Sequence, residues 1–128
     1  KLAGTFEGSS PIIPVSVEGT QISFSGPETH VKRWLVHSPD PAVVAASVQL
    51  CIAESLQRSL TAAIDQTGLR TVLLVGGVAA NRFIRTHVAK RLADGRKTTV
   101  RWPEPEFSGD NAVGAAWWAL SRKAVSGN

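Results

Sequence analysis

The sequence contains 128 residues, of which 43% are hydrophobic and 19% charged, a balance that indicates a folded globular domain and excludes a disordered tail or a fibre. Because no run approaches the ~20 apolar residues that cross a bilayer and the polar N-terminus lacks signal-peptide features, we expect no membrane partner. The single cysteine excludes a disulfide framework or a cysteine-rich zinc module and favours the cytoplasm, while the formal net charge of +4 is compatible with an anionic partner.

The first part of the chain predicts a β-hairpin followed by a short helix. Ile12–Val17 and Gln21–Ser25 are short apolar or alternating runs on either side of a Glu-Gly-Thr turn. Pro11 and Pro14 mark the first of these strands as an edge, because proline cannot donate to a ladder. The helix is expected over Glu28–Val36, where a Ser-Pro pair then ends it.

A long helix over Pro41–Thr67 is the clearest element. Asp40 is suited to cap it, proline is tolerated in its first turn, and Gly68 provides the usual glycine just after its end. Glu54 and Arg58 lie one turn apart and predict a supporting ion pair. Apolar residues recur at every fourth position and predict one buried stripe: Val44, Val48, Ile52, Leu56, Leu60 and Ile64.

The rest of the chain alternates strands and helices. Thr71–Val75 has the composition of a strand covered on both faces, and a helix is predicted to begin near Ala80. A second strand is predicted over Thr98–Trp102, and a last helix over Asp110–Lys123. The helix after Ala80 carries one apolar face, formed by Ile84, Val88 and Leu92. The alternation predicts an α/β fold in which parallel strands and the hairpin make a small mixed sheet of about four strands with flanking helices. The edges of so small a sheet are exposed, so we expect self-association or a partner protein to cover one of them.

Two loops follow the predicted parallel strands and therefore lie at the same edge of the sheet. Gly76 and Gly77 open the first loop, which Asn81 closes at the start of a helix, where backbone N–H groups favour an anion. Asn81 offers a donor and an acceptor suited to a nucleotide, although a Gly-Gly turn after a strand is equally compatible with a simple turn. The second loop is Phe107–Asn111, where Asp110 is suited to cap the following helix or to ligate a metal ion. Because one carboxylate cannot hold a metal ion alone, further ligands would have to come from elsewhere.

Other chemistry-bearing residues favour structural roles. His30 and His37 are about 10 Å apart along one helix face, too far to share an ion, and His87 lies on another helix as a surface or packing residue. Cys51, between apolar neighbours, is expected in the core. The sequence contains no motif of a serine, cysteine or zinc hydrolase.

A basic segment is the remaining candidate site. Residues 70–101 carry a formal charge of +7, against −2 for residues 1–69 and −1 for residues 102–128. Arg82, Arg85 and Lys90 are candidate RNA contacts, and Trp102 is suited to stack on a base. The alternative is that these cations are solvated faces of a helix and its neighbours.

Four motifs follow one another along the chain: Ile22-Ser23-Phe24-Ser25-Gly26, the AAIDQTG run over 62–68, GGVAAN over 76–81 with Arg82 following, and Pro103 to Asn111. Together they resemble the C-terminal half of the tRNA adenosine threonylcarbamoyltransferases, formerly called glycoproteases or O-sialoglycoprotein endopeptidases, of the actin-like ATPase superfamily. The similarity runs in register over nearly the whole chain.

The resemblance implies that residues 1–128 are a single C-terminal subdomain of a larger, two-domain protein with an actin-like (RNase H-like) fold, whose N-terminal half is absent. The absence of methionine and the lysine at position 1 likewise predict a part of a longer protein. Such enzymes transfer a threonylcarbamoyl group from its adenylate to a tRNA adenosine. By this resemblance Gly76, Gly77 and Asn81 bind ATP or the adenylate, and Asp110 ligates one divalent ion, iron or zinc, which the missing half completes. The isolated chain is then expected to be inactive.

Departures from the family pattern leave other hypotheses open. Pro27-Glu28-Thr29 stands where Leu-Lys-Thr is usual, and Ser108-Gly109 precedes Asp110 where Cys-Thr is usual. These flanks are compatible with a divergent, non-catalytic paralogue that acts as an interaction or scaffold domain. A hydrogenase-maturation carbamoyltransferase also has a GGV-type loop but fits the other motifs less well. A peptidase, as the older family name suggests, lacks a nucleophile or zinc triad here.

Overall fold

The computed structural model of the chain describes residues 13–94 and 98–103. The elements in chain order are β1 (Val17–Glu18), β2 (Gln21–Ile22), α1 (Ser25–Leu35), α2 (Pro41–Thr67), β3 (Thr71–Leu73), a 3₁₀ turn (Gly77–Ala80), α3 (Arg82–Ala93) and β4 (Thr99–Arg101). The predicted last helix, Asp110–Lys123, lies outside the described residues. Within the described ranges, no helix is both long enough and apolar enough to span a membrane.

The hairpin prediction is confirmed, with shorter strands than expected. β1 and β2 pair antiparallel through Val17 opposite Ile22 and Glu18 opposite Gln21. The second strand ends early because helix α1 begins at Ser25, three positions before the predicted start. Proline at position 27 fits inside the first turn of that helix, since its missing N–H has no partner to lose there.

Helix α2 has the predicted bounds, because local signals fix both of its ends. Oδ1 of Asp40 accepts a hydrogen bond from the N–H of Ala42 at 2.8 Å. Gly68 adopts the left-handed conformation (φ 70°), and its N–H donates to the carbonyl of Ile64. Both contacts use chemistry that is readable within a few residues of the helix end.

The predicted single stripe on α2 is only partly correct. Val44 and Ile64 are buried, but the four stripe residues between them are half-buried. Positions four apart advance about 40° around a helix at each step, so six of them cannot share one face. The most buried positions of the middle of the helix are instead Leu50, Cys51, Ala53 and Ser55, together with Ser47.

The predicted parallel strands pair, but the sheet they form is smaller than expected. β3 and β4 are parallel, with Val72 opposite Val100, and they form a two-stranded sheet separate from the hairpin. The prediction of one mixed sheet is therefore wrong for the residues the structure describes. The prediction that Thr71–Val75 is covered on both faces is also wrong there, since Leu73 and Val75 are each 64% exposed.

The core lies between the two longer helices and one face of the parallel sheet. It contains the predicted apolar face of α3, and its buried members are Ala53, Ile64, Ile84, Val88 and Leu92. Val72 and Leu74 of the β3 segment and Val100 of β4 pack against it. This packing holds the loop after β3 at the start of α3.

Candidate functional site

The Gly76–Asn81 loop between β3 and α3 begins with two glycines, continues through Val78, which is 54% exposed, and is anchored by the buried Ala79. Gly76 and Gly77 are both exposed, and a Cβ at either position would meet nothing within 4 Å in the structure. Gly76 has φ 101° and ψ 166°, a conformation that is essentially restricted to glycine. The first glycine is thus required by the backbone, and the second is not.

The 3₁₀ turn leaves backbone donors at its beginning. The N–H of Ala79 donates to the carbonyl of Gly76 at 3.0 Å, and the N–H of Asn81 donates to the carbonyl of Val78 at 3.2 Å. The N–H groups of Gly77 and Val78 have no acceptor within the described part of the chain. Successive backbone N–H groups of this kind can form an anion-binding concavity.

Asn81 caps helix α3. Its Oδ1 accepts from the N–H of Phe83 at 2.9 Å and from the N–H of Ile84 at 3.2 Å. The carbonyl oxygen therefore serves the helix, and the Nδ2 amide is the part of the side chain available to a ligand. This cap was not predicted, because the helix was expected to begin near Ala80; asparagine one residue before Arg82 was the signal for it.

Arg85 connects this loop to the end of β4. Its Nε donates to the carbonyl of Ala79 at 2.5 Å and its Nη2 donates to the carbonyl of Pro103 at 3.3 Å. The guanidinium also lies over the ring of Trp102, 5.4 Å from the centroid. Arg85 and Trp102 were predicted to meet RNA; the structure gives both residues contacts inside the chain, which sequence reasoning missed.

The other predicted RNA contacts lie on the surface of α3. Arg82 and Lys90 are exposed. Arg82 directly follows the Gly76–Asn81 loop in sequence, and Lys90 lies about two turns further along the helix. Their role toward RNA stays a prediction.

A polar cluster between α2 and α3 neutralises part of the basic segment. Oε1 of Glu54 lies 2.9 Å from Nε2 of His87 and 3.8 Å from a guanidinium nitrogen of Arg91. The other oxygen, Oε2, lies 4.0 Å from Nε of Arg58. The predicted ion pair with Arg58 is thus the longest of these contacts. His87 is 15% exposed and its ring lies against Phe83, so of the two predicted alternatives, surface or packing, the structure shows packing, whereas its bond to Glu54 was not predicted.

The described residues do not form a metal site. Among them there is no group of three or more histidine, cysteine, aspartate or glutamate side chains able to hold an ion. His30 and His37 are exposed. Asp110, the predicted metal ligand, lies outside the described residues.

Cys51 is a core residue, as predicted. Its side chain is 3% exposed, and its thiol donates to the carbonyl of Pro14 at 3.7 Å. Burial raises the pKa of the Cys51 thiol above its ordinary value of 9.0, although the hydroxyl of Ser55 acts in the opposite direction. A thiol of this kind is a poor nucleophile at neutral pH.

An apolar cavity of about 370 Å³ lies between α1 and α2. Phe24, Pro27 and Val31 line it from one side, and Val48 and Ile52 from the other. None of its lining residues belongs to the loop over Gly76–Asn81. The predicted nucleotide loop is thus an open surface rather than part of this cavity.

Comparisons with known proteins agree with the motif series. Residues 2–117 match the family model described as tRNA N6-adenosine threonylcarbamoyltransferase. A curated protein of that name from Neorickettsia sennetsu is 31% identical over 117 residues, which are 88% of this chain and 35% of the relative. The chain therefore spans about a third of the length of that relative.

Proposed function

The chain belongs to the tRNA N6-adenosine threonylcarbamoyltransferase family, and from that premise we propose that it is the nucleotide- and metal-binding C-terminal half of such an enzyme. The parent enzyme transfers threonylcarbamoyl from its adenylate to a tRNA adenosine, and its remaining part is the chain's first partner. An actin-like fold for the assembled enzyme is part of this proposal. The family match over residues 2–117 is the observation that carries it.

The loop after β3 is the proposed nucleotide site. The exposed backbone at Gly76 and Gly77, which carries no Cβ, lets a phosphate or acyl-adenylate approach closely, and Gly76 supplies a conformation that other residues adopt only with strain. The N–H groups of Gly77 and Val78 would donate to anionic oxygens of the ligand. The Nδ2 amide of Asn81 would donate to the nucleotide while its carbonyl continues to cap α3.

We propose that Arg85 positions this loop, a role beyond the RNA contact that the sequence predicted. By joining Ala79 to Pro103 it fixes the loop after β3 relative to the segment that leaves β4. Asp110, the residue proposed to ligate the divalent ion, follows Pro103 by seven positions in the sequence. Since the described residues hold no metal site of their own, the other ligands are proposed to come from the rest of the enzyme. The ion, when bound, would polarise substrate oxygens as a Lewis acid.

The tRNA is proposed to contact the exposed cations Arg82 and Lys90 on α3. Each contact of a cation with a phosphate contributes to the salt dependence of binding. Reversing both charges should therefore weaken tRNA binding and flatten its dependence on salt. An unchanged salt slope would assign these residues to the solvated surface.

A chimera tests the function directly. Residues 2–117 would replace the aligned segment of the Neorickettsia sennetsu relative, and threonylcarbamoyl transfer to tRNA would be measured from the adenylate. We expect transfer by the chimera, none by the isolated chain, and loss of transfer on Asp110→Ala, with Asp65→Ala as a carboxylate control. A chimera that folds but transfers nothing, or whose transfer survives Asp110→Ala, would favour a non-catalytic interaction domain instead.

A further inference from the structure

A hydrogen bond between α2 and α3 lies next to the buried apolar contact of these two helices. Nε2 of His87 is 2.9 Å from Oε1 of Glu54, and each side chain is 15% exposed. Their chain neighbours Ala53 and Val88 are fully buried in the core. Burial of apolar surface is non-directional, whereas a hydrogen bond requires a short distance and a near-linear arrangement. The contact between Glu54 and His87 therefore adds a directional constraint to the packing of α3 on α2.

The carboxyl group of Glu54 identifies the donor of this hydrogen bond. A carboxylate accepts hydrogen bonds and does not donate them, so Nε2 of His87 is the donor. The guanidinium groups of Arg91 and Arg58 lie 3.8 and 4.0 Å from the same carboxyl group. Removing the donor therefore leaves the carboxylate with cationic neighbours and does not create an isolated buried charge. The protein can then fold without this hydrogen bond, which makes the contact open to substitution.

The hydrogen bond is linked to the Gly76–Asn81 loop through the first two turns of α3. The ring of His87 lies against the ring of Phe83, with their centroids 5.8 Å apart. The backbone N–H of Phe83 donates to Oδ1 of Asn81 at 2.9 Å, so one residue contacts both His87 and the cap. His87 is six positions from Asn81, which is less than two turns of a helix. A change in the position of His87 is therefore carried to Asn81 by a short, continuous stretch of helix.

We propose that Glu54 and His87 are positioning residues, which hold α3 in the orientation that places the Gly76–Asn81 loop for its nucleotide. Arg85 joins that loop to the end of β4, whereas the Glu54–His87 hydrogen bond joins the helix that follows the loop to α2. Both residues act through the cap at Asn81 and not by touching the nucleotide. The nucleotide in this proposal rests on the proposed function, but the control of loop geometry does not.

Substitutions of both partners separate the hydrogen bond from the ring packing. His87→Phe keeps an aromatic ring beside Phe83 and removes the donor, whereas His87→Gln removes the ring and supplies an amide N–H donor. Glu54→Met removes the acceptor from the other side and is a second route to the same loss. His30→Phe is the matched control, since His30 is exposed on α1. Circular dichroism of each variant would establish that it folds.

Amide resonances of the ¹⁵N-labelled chain test the positioning without any ligand. Three resonances report on the loop: the backbone amides of Gly77 and Val78 and the Nδ2 amide of Asn81. We expect His87→Phe and Glu54→Met to shift these three resonances, because the loop changes its geometry when the hydrogen bond is lost. His87→Gln should shift them by less than half as much, and the control should leave them unchanged. Loop resonances that stay unchanged in His87→Phe and Glu54→Met, or that shift as far in His87→Gln as in His87→Phe, would overturn the proposal.

Binding of ATP to the chimeric enzyme connects the same substitutions to function. The Kd for ATP, measured by calorimetry, should rise about 2- to 30-fold in His87→Phe, the range over which residues remote from a ligand modulate its binding. His87→Gln should recover most of that loss, which a merely destabilised core would not show. Unchanged affinity in His87→Phe would overturn the proposal. A wild-type chimera that binds no ATP would instead refute the proposed function, and the ligand-free resonances would still decide whether Glu54 and His87 position the loop.

Discussion

Replacing Asn81 separates the cap of helix α3 from ligand binding. Asn81→Ala removes the acceptor of the two hydrogen bonds from Phe83 and Ile84, at 2.9 and 3.2 Å. Loss of such a cap costs about 1 kcal/mol, with a range of roughly 0.5–2. Asn81→Asp keeps both acceptors, places a negative charge at a helix N-terminus where it is favourable, and deletes only the Nδ2 donor.

The expected result is that stability and binding respond differently to the two substitutions. Thermal unfolding followed by circular dichroism should show a midpoint lowered by about 3–6 °C for Asn81→Ala and an unchanged or higher midpoint for Asn81→Asp. In the chimeric enzyme, both variants should bind ATP more weakly than the wild type. If Asn81→Asp lowered the midpoint as much as Asn81→Ala, or if it bound ATP normally, the division of roles within this side chain would be refuted.

Further substitutions test the backbone, the thiol and the core. Gly76→Ala should cost about 1–3 kcal/mol of unfolding free energy because φ 101° strains any residue with a Cβ, whereas Gly77→Ala should be tolerated; urea denaturation of the pair checks this. Burial raises the pKa of the Cys51 thiol, so the folded chain retains that proton more strongly than the unfolded chain. Its contribution is present below the ordinary value of 9.0 and is lost as pH rises through the folded-state pKa. The unfolding free energy should therefore fall as pH rises from 9.0 through the folded-state pKa of the thiol. Cys51→Ala should remove the part of this fall that the thiol causes. Leu92→Ala, at a fully buried position, should cost about 2–5 kcal/mol in the same denaturation assay, and a smaller loss would indicate that the core can collapse around it.

The parts of the fold that depend on neighbouring residues were readable from the sequence. Helix α2 begins and ends as predicted because Asp40 and Gly68 act within one turn of their own positions. The turn of the hairpin is equally local. The strand–helix–strand order also predicted the parallel pairing of β3 with β4, since a short strand with a helical crossover leaves few other arrangements.

The parts of the structure that depend on residues distant in the sequence could not be predicted from it. Whether both faces of β3 are covered depends on which other elements reach it, and the composition of Thr71–Val75 carries no information on that point. Arg85 was predicted to face RNA because the sequence does not reveal that a carbonyl 18 positions away lies within its reach. Glu54 was paired with its helical neighbour, although His87 on another helix takes the shorter contact.

Nucleotide binding at the Gly76–Asn81 loop can be followed through the amide resonances of the chimeric enzyme. The chimera would be labelled with ¹⁵N in the segment from this chain and titrated with ATP. We expect the amide resonances of Gly77 and Val78 and the Nδ2 resonance of Asn81 to shift together in a saturable way. Saturable shifts confined to other residues, with these three unchanged, would contradict nucleotide binding at this loop.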